Sequence, residues 1–145
     1  MRGLETLADR KIDPSQQSLT LADWRRPDCP LIYVNKGFEL MTGYTKAEAV
    51  GRNCRFLQGP DTDPAARAQI RAAVEAGSPL IVDLLNYHKD GTTFWNRLSL
   101  RPVRNQAGQL THIVGIQSNI TAMRDLEARL VDLALLLGGQ ARSDA

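Results

Sequence analysis

Cys54 lies in the run Gly51-Arg52-Asn53-Cys54-Arg55-Phe56-Leu57-Gln58-Gly59, flanked by two carboxamides, an arginine and two apolar side chains. That neighbourhood suits a sulfur facing a large ring system with polar edges and a phosphate. The run offers no general base, and without one a thiol is not a standing thiolate nucleophile. His88 and His112 fall on segments that read as strands, with no pattern bringing either to Cys54. Downstream, Arg67 and Arg71 stand four apart on one helical face. Like charges there repel by roughly 0.2–0.5 kcal/mol unless an anion bridges them. With Arg55 just before that helix, three guanidiniums can clamp a terminal phosphate through charge-assisted bonds; a solvated Arg67 is the alternative.

Three further amides recur among apolar residues at strand spacing. Val82, Leu84 and Asn86 share one face of their strand; Phe94, Asn96, Leu98 and Leu100 share one face of the next; Ile113, Gly115 and Gln117 share one face of the last. Buried amides need partners for both N–H and C=O, so three of them converging on one apolar chamber are costly unless satisfied. A ligand with a polar edge would satisfy them, and hydrogen bonds to the backbone would be the alternative.

Positioning these groups falls to 145 residues, a length that predicts one domain. With 43% hydrophobic and 23% charged residues, the composition excludes both disorder and a membrane-embedded protein. No run approaches the ~18 apolar residues of a membrane helix, and the start, Met1-Arg2-Gly3-Leu4-Glu5-Thr6, has no apolar export signal, so a cytoplasmic location is expected. A net charge of +2 with no basic block beyond Arg25-Arg26 gives no support for nucleic-acid binding. Two scattered histidines and two cysteines give none for a metal site. Cys29, between Asp28 and Pro30, reads as a loop residue and, like Cys54, as a free thiol.

Residues 1–17 read as a flanking helix or arm. Strands are expected at 18–23 and 31–35 around the turn Arg26-Pro27-Asp28-Cys29-Pro30. Helical pattern runs from Lys36 to a break at Thr42-Gly43-Tyr44, resumes at Lys46–Val50, and returns from Pro64, allowed in a first turn, to Gly77, a natural stop. Three strands follow at 80–88, 93–104 and 109–118, joined by Lys89-Asp90-Gly91 and Asn105-Gln106-Ala107-Gly108, both hairpin chemistry. A terminal helix spans Thr121–Leu137 and is expected to end at Gly138-Gly139, with a flexible tail over 138–145. The order gives an α+β fold, a five-stranded antiparallel sheet with helices on one face and flanking terminal helices.

The run around Cys54 resembles, position for position, the flavin-binding signature of LOV (light-oxygen-voltage) domains, the blue-light-sensing branch of the PAS superfamily, and the element order is that of the PAS fold. The resemblance implies a core at 18–119, a signalling and dimerisation helix at 120–137, and FMN as cofactor, with riboflavin or FAD as alternatives. It assigns Asn86, Asn96 and Gln117 to the pyrimidine edge of the flavin, beside the inward-facing Leu98 and Leu100. Asn53 and Gln58 fall at the ribityl chain, and Arg55, Arg67 and Arg71 at the phosphate. Thr62 departs from the pattern, standing where some members carry another arginine. It further implies that blue light drives the Cys54 sulfur onto flavin carbon C4a while N5 gains a proton, and that darkness reverses the bond. Gln117 is then the switch: N5 turns from acceptor to donor, so the amide must flip. Glu48 and Lys89 match the family's surface ion pair. The expected function is sensing and not catalysis. A light-independent flavin redox sensor or electron carrier, and a thiol enzyme, are the competing classes.

The other sheet face carries Ile81, Leu85, Tyr87, Trp95, Val114 and Ile116, which something must cover. The terminal helix has an apolar seam, Met123, Leu126, Leu130, Leu133 and Leu137, about two heptads long. A homodimer through both surfaces is the expectation, with a monomer whose helix folds back as the alternative. Ending at Ala145, the sequence reads either as a short sensor without a fused effector, its dimer shape read by a separate downstream protein, or as a fragment of a longer chain.

Overall fold

A computed structural model describes residues 17–143, so the expected N-terminal arm lies almost wholly outside the described residues. The elements are β1 (Ser18–Asp23), β2 (Leu31–Val34), α1 (Lys36–Thr42), α2 (Lys46–Ala49), a 3-10 turn at Cys54–Leu57, α3 (Pro64–Ala76), β3 (Leu80–Tyr87), β4 (Thr93–Arg104), β5 (Leu110–Asn119) and α4 (Thr121–Ser143). The strands form one antiparallel sheet in the order β2-β1-β5-β4-β3. The last strand is therefore central, and a change on β5 reaches strands on both sides.

Local chemistry fixes the helix ends. Asn35 caps α1 by accepting from the Phe38 N–H at 3.0 Å. Gly43 closes α1 in the left-handed region, φ 82°, open to glycine at little cost. Thr45 and Glu48 form a reciprocal capping box on α2. Asp63 caps α3 with Pro64 in its first turn, and Gly77 ends it at φ 64°.

Packing places the helices against one sheet face in two clusters. Leu31, Val34, Phe38, Ala49 and Leu57 form one, with Cys54 and Phe56 on its border. Ala66, Leu84 and Leu98 form the other, flanked by Ile70, Val82 and Leu100. Between them the register aligns inward-facing residues across strands. Ser18 pairs with Gln117 and Gln117 with Leu98; Thr20 pairs with Gly115 and Gly115 with Leu100. Leu84 faces Asn96, and Asn86 faces Phe94. Side chains distant in sequence thus become neighbours.

One expectation is corrected, and one alternative is not seen. The terminal helix does not stop at Gly138-Gly139, nor do residues 138–143 form a tail: α4 continues to Ser143. A glycine costs a helix about 1 kcal/mol relative to alanine but imposes no left-handed cap by itself. The helix also does not fold back over the outer sheet face. Its first turns meet β4, where the Arg124 guanidinium lies 3.7 Å from the centre of the Trp95 ring. From Asp125 to Gly138 every residue is exposed, the seam included, and Ile81 on the sheet is 68% exposed.

Candidate functional site

Cys54 opens the 3-10 turn, and Asn53 holds that turn in place by accepting from the Arg55 N–H at 2.9 Å. The thiol lines a chamber between the helices and the sheet, together with Asn53, Arg55, Gln58, Asn86, Asn96, Leu98 and Leu100. Ten of the eleven candidate residues named from sequence line this chamber or its outer cleft; Gln117 lies just behind the wall. Burial pushes the Cys54 thiol up to about 12, with a smaller contribution from Cys29. His88 stacks on Phe94 at 4.3 Å and His112 bonds Thr111 and Arg25, so neither serves Cys54 as a base. The thiol is held protonated and inert toward ordinary electrophiles.

Asn86 and Asn96 are buried, 3% and 2% exposed. Asn96 Nδ2 donates to Asn86 Oδ1 at 2.9 Å, Asn96 Oδ1 accepts from the Ser118 N–H at 3.2 Å, and Asn86 Nδ2 donates to the Leu85 carbonyl at 3.2 Å. Each amide nitrogen keeps a second N–H for a partner in the chamber. Gln117 folds over Gly115, where an added Cβ would stand 2.8 Å from its Nε2. Its Nε2 donates to Thr20 Oγ1 at 3.0 Å and its Oε1 accepts from Ser18 Oγ at 2.5 Å.

The chamber continues into a cleft lined by Asn53, Arg55, Gln58, Arg67 and Arg71. Arg55 is paired with Asp28, and Asn53 Nδ2 donates to the Asp28 carbonyl at 2.7 Å. Arg67 donates to the Gly59 carbonyl, while its Nε is buried with no hydrogen-bond partner among the described residues. A buried guanidinium N–H left unpaired is costly, and an anionic ligand group would satisfy it. The donor set thus fits a ligand with an amide-like edge, an apolar ring, a hydroxylated chain and an anionic terminal group. Thr62 takes no part: it is buried, donating to the Leu85 carbonyl at 2.7 Å and accepting from the Gly59 N–H at 3.0 Å. Glu48 and Lys89 form the expected surface pair at 2.6 Å, and the Lys89 ammonium, with the Thr45 N–H, holds the Glu48 carboxyl down to about 2.

Sequence reasoning missed several members. Ser18 and Thr20 reach Gln117 only through the β1–β5 register, and a hydroxyl on a short strand carries no distinguishing pattern. Cys29 does sit in the β1–β2 turn, yet it also lines the chamber, its thiol pushed up by burial and by Asp23 and Asp28. The positive φ of Asp28 (66°) and Cys29 (47°) turns it inward, a conformation no local motif announces. Ile70 and Val74 line the chamber from α3, and there the period of four was visible. Among the described residues no group of three or more His, Cys, Asp or Glu is placed to hold a metal ion, and no helix is long and apolar enough to cross a membrane.

A five-stranded antiparallel sheet cupping a ligand chamber under short helices defines a PAS-type sensor domain, and a family model described as a PAS domain matches residues 22–122. A light-oxygen-voltage domain solved in work on a flavin analogue is similar over 90% of this chain and 96% of its own, with 38% identity and a TM-score of 0.73. An RNA-binding light-oxygen-voltage receptor is similar over 97% of this chain and 39% of its own, with 41% identity and a TM-score of 0.78. A blue-light-activated histidine kinase of Rhizobium johnstonii is 43% identical over 127 residues, 83% of this chain and 37% of that protein. The chain belongs to the LOV family of PAS domains, whose similar members include blue-light receptors. It spans between 12% and 37% of the length of the first curated relatives it matches.

Proposed function

We propose that this LOV domain senses blue light through FMN, with the Cys54 sulfur forming a light-driven, dark-reversible bond to carbon C4a of the flavin. The observation that carries the reading is the Cys54 thiol lining one chamber with Asn86 and Asn96. FMN, when bound, supplies the light absorption and the carbon that accepts the sulfur. Asn86, Asn96 and Gln117 hold its polar edge, Leu98 and Leu100 its ring, Asn53 and Gln58 its ribityl hydroxyls, and Arg55, Arg67 and Arg71 its phosphate.

Gln117 is the switch. Ser18 and Thr20 can each donate or accept through a rotating hydroxyl. Both amide orientations therefore keep their hydrogen bonds, and a change of protonation at the neighbouring flavin nitrogen decides between them. The change passes along β5 to Thr121, whose Oγ1 accepts from the Trp95 N–H at 2.8 Å at the base of α4. Residues 18–119 act as the sensing core and the segment from 120 to 137 as the signalling helix, whose exposed seam pairs with a second copy. The modest charge of +2, with no basic block, favours no nucleic-acid partner, unlike the RNA-binding receptor of similar fold. The domain itself catalyses no turnover, and a cytoplasmic location suits its thiols.

The test is optical. Purified protein is expected to be yellow, to lose its visible flavin absorption under blue light and to regain it in darkness. Cys54→Ala should stay yellow and fail to bleach. Because Cys29 faces the same chamber, the comparison belongs in a Cys29→Ser background. Bleaching that persists without Cys54 and without added reductant overturns the cysteine assignment, and signalling that follows flavin reduction instead identifies a redox sensor.

A further inference from the structure

The β1–β2 turn is fixed against the mouth of the site. Asp28 takes Arg55 as its ion-pair partner and the Asn53 amide on its carbonyl, and the Cys29 N–H donates to the Arg26 carbonyl at 3.1 Å. Pro27 stiffens the same turn. The two adjacent arginines of this turn have different fates. Arg25 is held by Asp23 at 3.1 Å and 3.3 Å and lines a different groove beside Arg104 and Gln109. Arg26 lines the outer cleft with Arg55, Arg67 and Arg71, and has no carboxylate partner among the described residues.

The cleft is therefore lined by four arginines against two acidic residues, Asp28 and Glu75, an excess of two positive charges among the described residues. The unpartnered, buried Nε of Arg67 independently marks the same cleft as a place for an acceptor. A phosphate monoester carries about −1.5 to −2 at neutral pH and offers three acceptor oxygens, so it matches the excess in both charge and geometry.

We propose that Arg26 completes a four-arginine phosphate site from the β1–β2 turn and sets the preference of this chain for a phosphorylated flavin over the unphosphorylated one. The inference rests on the flavin reading above. A bond from a guanidinium to a phosphate oxygen is a charge-assisted one, so its loss is expected to weaken binding by about tenfold. FMN and riboflavin are titrated onto the flavin-free full chain, as wild type, Arg26→Gln, Arg26→Lys and Arg25→Gln. Arg26→Gln should bind FMN about tenfold more weakly and riboflavin as wild type does; Arg26→Lys should recover part of the loss, and Arg25→Gln should change neither. FMN binding to Arg26→Gln at wild-type strength overturns the proposal. So does an equal loss for both flavins, which would mark Arg26 as a folding residue. A wild type that takes up neither flavin overturns the parent reading itself, an outcome distinct from either.

Discussion

Cys54 keeps its proton because burial penalises the thiolate more than any neighbour stabilises it. A thiol raised from 9.0 to about 12 is ionised roughly a thousandfold less at neutral pH. Dark alkylation of Cys54 in a Cys29→Ser background should therefore be much slower than that of an unperturbed thiol, as followed by mass spectrometry. The same shift acts on stability. Between about 9 and about 12 the unfolded chain sheds this proton and the folded chain keeps it, so stability should fall as pH rises through that window. Denaturant midpoints from pH 8 upward, compared with those of Cys54→Ala, check the sign. Gln117→Leu strands the buried hydroxyl of Ser18 and removes the donor to Thr20 Oγ1 and should cost about 1–3 kcal/mol. It should leave photobleaching intact while reducing light-induced changes in solution scattering. That Cys54, Asn86 and Asn96 face one chamber was legible in the sequence because each stands out chemically at its spacing. Ser18, Thr20 and Cys29 were not, because their roles arise from register and from a left-handed turn.

At the level of elements, turn chemistry located the boundaries well: Gly43 and Gly77 end helices where glycine was expected to, and Pro64 stands in a first turn, while the caps Asn35, Thr45 and Asp63 are seen only in the structure. The terminal helix was misjudged because two glycines weaken a helix without ending it. Gly115 shows what register adds. A Cβ there would lie 2.3 Å from Thr20 Oγ1 and 2.8 Å from Gln117 Nε2, so Gly115→Ala must displace the Thr20–Gln117 pair. Overpacking of this kind costs about 1–3 kcal/mol, and the variant should show both a lower denaturant midpoint and an altered dark recovery rate. At the base of α4, the Arg124–Trp95 contact is a cation–π pair between half-buried side chains, which contributes about 0.5–2 kcal/mol. Arg124→Ala should raise amide hydrogen exchange in the first turns of α4 in the dark while leaving β5 protected.

Across the whole molecule, the chamber faces the helices and the unpaired apolar surface lies elsewhere, on the outer sheet face and along α4. Met123, Leu126, Leu130, Leu133 and Leu137 are all exposed, which suits a second copy better than solvent. Replacing Leu130 and Leu133 by Asp should lower the molar mass seen in light scattering to that of one chain without affecting flavin uptake. The most direct test of the central claim follows the S–H bond of Cys54 itself, by light-minus-dark infrared difference spectroscopy in a Cys29→Ser background. Illumination should remove the S–H stretch as the flavin bleaches, and darkness should restore both at one rate. An S–H stretch that persists while the flavin bleaches would contradict bond formation at this sulfur.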